Sequence, residues 1–351
     1  MIFKNVKQSL IAISWSHMPP YAAKLINSGI KGIGQSVAII SSEPAVLQHE
    51  VDSILQQSVN WINPNQDLTW SKIGIDVPHI FFQSGWSITA FNKLGTEVKQ
   101  NGGKLICISD NSWKNTPRQW LAALFSRLYY RKHFDAVWVP GISGMQLMKF
   151  YGMPENRIYQ GLYSADSKIF FHRDSIEKRA KKFIFVGQLI KRKGVNLLVR
   201  AFTKFTRQYP DWKLHIIGSG MLSDRLPKID NIVYEGFKET RCVAEALRNS
   251  RFLILPSHEE HWGLVVHEAA LCGCGLIVSD AVGSSLDLVG ANNGIVFPNN
   301  STNGLYKAMV RAASFNNKEL QLISRESKDK ALKFNLSRWA TTFAQIIFDV
   351  I

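Results

Sequence analysis

Phe252-Leu253-Ile254-Leu255-Pro256-Ser257-His258-Glu259-Glu260-His261-Trp262-Gly263-Leu264-Val265-Val266-His267-Glu268-Ala269-Ala270 is the stretch whose reading decides the fold. The apolar run from Phe252 to Pro256 predicts a buried parallel strand. A polar loop follows it, and the apolar segment beyond the loop predicts a helix. Two carboxylates, Glu260 and Glu268, stand either side of seven residues. Acids on a loop and helix at the carboxyl edge of a sheet sit where open α/β folds bind ligands.

Working outward, the same alternation recurs. Residues 182–187, 212–218, 231–234 and 276–278 read as strands, and 195–209 as a helix. In the first half, 9–14, 36–40, 79–82, 104–108 and 136–139 are strand-like, 157–159 is a shorter candidate, and 21–26 reads as a helix after Pro19-Pro20. A βα pattern that runs, breaks and restarts implies two doubly wound sheets with right-handed crossovers. We expect domains at 1–174 and 175–335. The charge run 172–181 between them reads as a solvated linker. A terminal helix, 336–351, has apolar positions at three- and four-residue spacing and Ser337 as its candidate cap. It needs a surface to pack on, and the first domain is the candidate.

Length and composition agree. The 351 residues exceed one small core, and 46% hydrophobic with 20% charged residues is a soluble globular balance. No apolar run approaches the roughly 18 residues of a membrane span. Residues 1–7 lack the apolar core of a signal peptide, and the four scattered cysteines make no disulfide framework. Cys272-Gly273-Cys274 raises a metal site, but no second ligand pair lies nearby, so it reads as a helix end turning into a strand. A reducing cytoplasm fits. The net charge of +15 calls for an anionic partner: nucleic acid, an anionic membrane surface or phosphorylated substrates. No nucleic-acid-binding signature is present, which sets the first aside.

Candidate chemistry gathers in the second half. Gly187 follows a strand, then come Lys191, Arg192, Lys193 and a helix. Cations and a helix N-terminus beyond a strand suit a phosphate, although a basic surface loop would look the same. Gly218-Ser219-Gly220 offers a second close-approach loop. Glu260 falls in a loop and can reach sugar hydroxyls. Glu268 falls on the helix and can accept from ribose hydroxyls. Two solvated glutamates would share that spacing.

Taken together, 187–194, Gly218-Ser219-Gly220, Tyr234-Glu235-Gly236-Phe237, Leu255-Pro256-Ser257, the Glu260/Glu268 pair and Ser279-Asp280-Ala281-Val282-Gly283 resemble the retaining, glycogen-synthase-like family 4 glycosyltransferases of GT-B fold. The resemblance is strong over 182–300 and looser over the first domain. It implies an α/β chain of two Rossmann-like, doubly wound domains facing across a cleft, the first for acceptor and the second for a nucleotide sugar. It assigns Lys193 to the donor diphosphate and Glu260 to the transferred sugar. Gly263 and Leu264 become backbone donors, and Glu268 holds the ribose. Gly187, Gly218, Gly236 and Phe237 line the rest of the donor site, with Gly236 and Phe237 at the base edge. Gln188 stands where many members carry arginine, and Lys191 or Arg192 is the candidate replacement for that charge.

The resemblance further implies a hexosyltransferase that retains anomeric configuration and uses neither divalent metal nor cofactor. Its donor is of UDP or GDP type and its acceptor a glycan or a polyprenyl-diphosphate-linked sugar. The setting is bacterial surface polysaccharide (lipopolysaccharide, O-antigen or capsule), built in the cytoplasm or on the inner membrane face. Preorganised positive groups would stabilise the departing diphosphate. No carboxylate nucleophile is established in the family, so Glu260 is given an electrostatic role. Domain closure would exclude water.

The first domain departs from the family pattern. Where many members carry a Gly-Gly loop, this chain has Trp15-Ser16-His17-Met18-Pro19-Pro20. Where many carry a histidine, it has Ser109-Asp110-Asn111. Asp110 is the candidate catalytic base, and the alternative is a capping Asp-Asn turn. Trp15, His17, Trp86 and Asn111 are acceptor-side candidates. For Trp86 the rival is a buried core tryptophan, and for His17 a plain loop histidine. Two readings also fit the basic, aromatic helix 119–132: docking on an anionic membrane, or packing an apolar face inside the domain. Two other functions share these features: a nucleotide-sugar epimerase of the same fold, and a non-catalytic basic binding protein.

Overall fold

The computed structural model describes residues 10–42 and 48–351. The N-terminal stretch 1–7 lies outside them. The chain divides into two compact units, Met1–Ser164 with Asn335–Ile351, and Ala165–Phe334.

The first unit runs β1 (Ile11–Trp15), α1 (Pro20–Ile33), β2 (Val37–Ser42), α2 (Gln48–Ile54), β3 (Val59–Ile62), β4 (Ile80–Ser84), α3 (Thr89–Gln100), β5 (Lys104–Ile108), α4 (Pro117–His133), β6 (Ala136–Val139), α5 (Ile142–Phe150) and β7 (Ile158–Gln160). The second continues with β8 (Lys182–Val186), α6 (Val195–Thr206), β9 (Lys213–Ile217), β10 (Ile232–Tyr234), α7 (Thr240–Arg248), β11 (Phe252–Leu255), α8 (Leu264–Leu271), β12 (Gly275–Ser279), α9 (Ser285–Leu288), β13 (Gly294–Phe297), α10 (Thr302–Ala313) and α11 (Asn317–Ala331). The chain then returns to the first unit as α12 (Leu336–Val350).

Among the described residues both sheets are wholly parallel, ordered β3-β2-β1-β4-β5-β6-β7 and β10-β9-β8-β11-β12-β13. Every residue of β1, β6, β11 and β12 is buried, because helices cover both faces of a parallel sheet. The order reverses between β1 and β4 in one sheet and between β8 and β11 in the other. Loops leaving the carboxyl ends of such a pair diverge to opposite faces and open a crevice for ligand. This is the doubly wound architecture, twice.

Three expectations need correction. The run 172–181 is not a solvated linker between the units: it lies inside the second one. Arg179 is buried, and its guanidinium donates to the carbonyls of Asp174, Ser250 and Cys272, at 2.9, 3.1 and 2.8 Å. Five donors on one planar group let it serve three carbonyls at once, so charge was no sign of exposure. Likewise Ser337 does not cap α12. Asn335 does, with its Oδ1 accepting from the Arg338 N–H at 2.8 Å. The helix packs on α1, with Trp339 and Phe343 buried among Phe82 and Trp138.

The third correction is α4. It turns Ala123 and Ser126 inward, while Trp120, Leu121, Leu124 and Phe125 are 54, 65, 67 and 78% exposed. These four side chains therefore do not build the domain core. No helix among the described residues is long and apolar enough to cross a membrane.

Candidate functional site

The loops after β8 and β11 leave the two strands that flank the switch point of the second sheet. The first carries Gly187 to Gly194, the second Pro256 to Gly263. Gly194 has φ 71°, and a Cβ there would stand 2.0 Å from the Pro256 carbonyl oxygen. Only glycine brings these loops so close. Their contact is completed by the His258 N–H, which donates to the Arg192 carbonyl at 2.8 Å, and by Arg192 Nη1, which donates to the Glu259 carbonyl at 2.9 Å.

This approach sets Lys193 against Glu260. The Lys193 ammonium donates directly to Glu260 Oε2, with both side chains nearly buried. Ser257 donates its hydroxyl to the same oxygen at 3.2 Å, and Arg192 Nη1 stands 3.8 Å from Oε1. The Glu260 backbone is fixed by a bridge to Val282: its N–H donates to Ala281 and its carbonyl accepts from Gly283. The motif 279–283 is thus the brace of this loop. Ser279 adds a 2.6 Å hydrogen bond to the Ser257 carbonyl.

Of the expected cations, Arg192 is the one that reaches Glu260 beside Lys193. Gln188 and Lys191 are exposed, and the Gln188 side chain makes no hydrogen bond among the described residues.

Gly263, in the left-handed region at φ 82°, opens α8 without a side-chain cap. The Val266 N–H already donates to the Gly263 carbonyl at 2.9 Å, so the N–H groups left open to an anion are those of Leu264 and Val265. Beside this turn, His261 Nδ1, Trp262 Nε1 and Ser284 Oγ are buried without a hydrogen-bond partner among the described residues. Unpaired buried polar atoms are rare and call for a local cause.

Glu268 lies one turn further along α8. It is half-buried, and its carboxylate makes no hydrogen bond or ion pair among the described residues. Burial raises its pKa to about 7. Its neighbour His267 anchors the helix: Nδ1 accepts from the Ala165 N–H at 3.0 Å, and Nε2 donates to the Ala331 carbonyl at 2.9 Å. Burial drops that imidazole to about 4, so it stays neutral and keeps this tautomer.

Gly218 and Gly236 belong to the edge beyond β9 and β10. The Gly218 N–H donates to the Gly236 carbonyl at 2.8 Å, and a Cβ on Gly218 would lie 1.9 Å from the Gly187 carbonyl oxygen. Phe237 projects from this edge, 75% exposed. Thus the second unit collects Gly187, Lys193, Gly218, Gly236, Phe237, Glu260, Gly263, Leu264 and Glu268 along its carboxyl edge. Cys272 ends α8 and Cys274 precedes β12, both as free thiols. Among the described residues no three His, Cys, Asp or Glu side chains converge as a metal-ligand group.

The acceptor-side candidates share the carboxyl edge of the first sheet, after β1, β4 and β5. Their environments differ. Trp15 is buried between Tyr21 and Tyr163, so it builds the core and presents no open face. Trp86 is half-buried against the apolar cluster that includes Phe81 and Phe91. His17 is exposed, with φ 49° and its N–H donating to Ser42 Oγ at 2.9 Å. Asn111 Nδ2 lies 3.5 Å from Ser109 Oγ. Asp110 is half-buried and accepts from the Tyr163 hydroxyl at 3.4 Å. Burial, reinforced by Tyr21 and Asp110, holds that phenol well above its usual range, so it stays a donor. Tyr163 was not foreseen, since 53 residues separate it from Asp110. Ser257 lies in the loop read from sequence, but a hydroxyl carries no sequence signal of its partner.

Comparison with known proteins agrees with this geometry. Residues 166–329 match the family model described as Glycosyl transferases group 1. They span almost the whole second unit, which is therefore similar to that family. An uncharacterized glycosyltransferase of Methanocaldococcus jannaschii is 28% identical over 176 residues, covering 44% of this chain and 45% of the relative. Glycogen synthase of Mycobacterium tuberculosis is 28% identical over 175 residues, covering 47% and 42%. The chain spans less than half the length of these relatives. Among solved structures, a glycosyltransferase from Rickettsia africae superposes with a TM-score of 0.76 at 14% identity, covering 98% of this chain and 99% of that one. Anabaena HepE in complex with UDP-glucose gives 0.74 at 12%, covering 97% and 100%. The fold is GT-B.

Proposed function

We propose that this chain, whose second unit resembles the group 1 glycosyltransferases, moves a hexose from a UDP- or GDP-type sugar to a glycan or polyprenyl-diphosphate-linked acceptor. Anomeric configuration is retained, no divalent metal or other cofactor takes part, and the product is a bacterial surface polysaccharide built on the cytoplasmic side. The observation that carries the reading is the Lys193–Glu260 pair at the switch point, beside the uncapped first turn of α8. An ammonium and open N–H groups side by side suit a diphosphate.

In this reading the bond from the anomeric carbon to the diphosphate breaks, and its electron pair leaves with the diphosphate. Lys193, Arg192 and the α8 N–H groups stabilise that charge as it grows. Glu260 faces the cationic sugar, and Glu268 accepts from the ribose hydroxyls. The acceptor oxygen bonds the anomeric carbon on the face the diphosphate leaves. Its proton passes to Asp110, which Tyr163 orients, or to the departing diphosphate. The assignment of Asp110 rests on its place in the family pattern.

The test is transfer or donor hydrolysis by the full chain with UDP- and GDP-sugars, in wild type and Glu260→Ala. Activity lost in a folded Glu260→Ala protein supports the reading, and undiminished activity defeats it. Donor converted to an isomer without acceptor identifies an epimerase. Nucleotide binding without turnover identifies a binding protein.

A further inference from the structure

The outward face of α4 is a large apolar surface left uncovered among the described residues. Trp120, Leu121, Leu124 and Phe125 fall at positions i, i+1, i+4 and i+5, a single stripe of the helix, and each is more than half exposed. Among the described residues, Ala123 and Ser126 are the ones this helix buries. Four large exposed side chains on one stripe form the kind of patch that marks an interaction site.

Charge identifies the partner. Between residues 111 and 134 there is no Asp or Glu, while Lys114, Arg118, Arg127, Arg131 and Lys132 contribute five positive charges. Placed around the helix at 100° per residue, Arg118 and Lys132 border Phe125, and Arg127 and Arg131 border Trp120 and Leu124. Arg118, Arg127, Arg131 and Lys132 are exposed. Trp120 is held edge-on to Phe150 at 4.7 Å, and its indole N–H donates to Asn115 Oδ1 at 2.9 Å. The ring is therefore held in place while about half of the residue stays exposed. Apolar side chains ringed by cations, on a helix too short and too charged to span, match the interfacial plane of an anionic bilayer. A protein partner would need matching acids, and nothing on this surface selects for one.

We propose that α4 is a membrane-docking helix: it lays Trp120, Leu121, Leu124 and Phe125 into the acyl boundary of an anionic leaflet while Arg118, Arg131 and Lys132 engage lipid phosphates. This placement is independent of the donor reading and of which sugar is moved.

The test is co-flotation of the full chain with phosphatidylglycerol-containing and pure phosphatidylcholine vesicles. Wild type should float with the anionic vesicles and release as salt rises. Leu121→Ser/Leu124→Ser/Phe125→Ser should abolish flotation. Arg118→Gln/Arg131→Gln/Lys132→Gln should lower anionic-vesicle binding at least about tenfold, from about 1 kcal/mol per surface cation. Both variants should keep the wild-type melting temperature and nucleotide-induced thermal shift, since these side chains lie outside the core and the donor loops. No flotation by wild type, equal flotation with both vesicle types, or undiminished flotation of the triple-serine variant overturns the proposal. So does self-association that the serine variant removes without any vesicle binding, which would assign the patch to a second copy.

Discussion

The Lys193–Glu260 contact predicts that two substitutions of one ion pair act alike on stability and oppositely on ligand binding. Both side chains are close to buried, at 13 and 10% exposure. Lys193→Met leaves the Glu260 carboxylate with only the Ser257 hydroxyl and a distant Arg192. Removing one partner of a buried pair costs about 3 kcal/mol. For a unit of this size that lowers the melting temperature by roughly 6–12 °C. Glu260→Gln keeps an acceptor for the ammonium and is milder, about 1–2 kcal/mol. Binding of the nucleoside diphosphate goes the other way for the two. Lys193→Met removes a charge-assisted hydrogen bond and weakens it by about 1.5–3 kcal/mol, roughly 10- to 150-fold. Glu260→Gln frees the ammonium from its carboxylate and removes a nearby negative charge, so the diphosphate binds more tightly although sugar transfer falls. The assay is scanning fluorimetry with UDP, GDP and ADP, then calorimetry with whichever nucleotide stabilises wild type. If Glu260→Gln loses affinity as Lys193→Met does, or if Lys193→Met binds normally, the ammonium does not serve the diphosphate and the reasoning fails.

Other consequences are direct. Glu268 titrates near 7 in the folded protein, above the carboxylate value of the unfolded chain. The folded state therefore holds a proton that the unfolded state releases, so apo stability falls as pH rises from about 4.5 to 7, by at most about 3 kcal/mol. Glu268→Gln should flatten that slope in a melting-temperature series, and an unchanged slope would refute the assignment. Gly194→Ala should cost at least about 2–3 kcal/mol, from left-handed strain plus the clash with the Pro256 carbonyl, and should disturb nucleotide binding with it. A soluble variant with wild-type melting and binding would show that the two loops do not need this approach. Asn335→Ala should lose about 1 kcal/mol in denaturant unfolding while Ser337→Ala is near neutral, the reverse of the cap read from sequence.

Much of the fold was legible because local pattern encodes it. Apolar runs such as 252–256 and 182–187 have one stable home, a parallel strand covered on both faces. The glycines at 187, 194, 218 and 263 mark where loops must turn or touch. The short strands β3 and β13 escaped notice: Val59-Asn60-Trp61-Ile62 carries only a weak apolar signal, and β13 is a half-buried edge strand. The candidate site was legible in part. Glu260 and Glu268 could be placed on loop and helix, since strand, loop and helix follow one another in the chain.

What the sequence determined by itself is therefore the order of elements, the two doubly wound sheets and the edge on which the charged loops emerge. Tertiary structure decided the rest. Sixty-seven residues separate Lys193 from Glu260, and only the adjacency of β8 and β11 brings them into contact. The same adjacency brings Arg192 within reach of Glu260 while Gln188 and Lys191 stay exposed. Arg179 is buried by carbonyls from distant turns, and Leu121, Leu124 and Phe125 of α4 are left facing solvent. Spacing along the chain specifies which face of an element is apolar. Whether that face is covered, and by what, depends on neighbours that the chain supplies from far away.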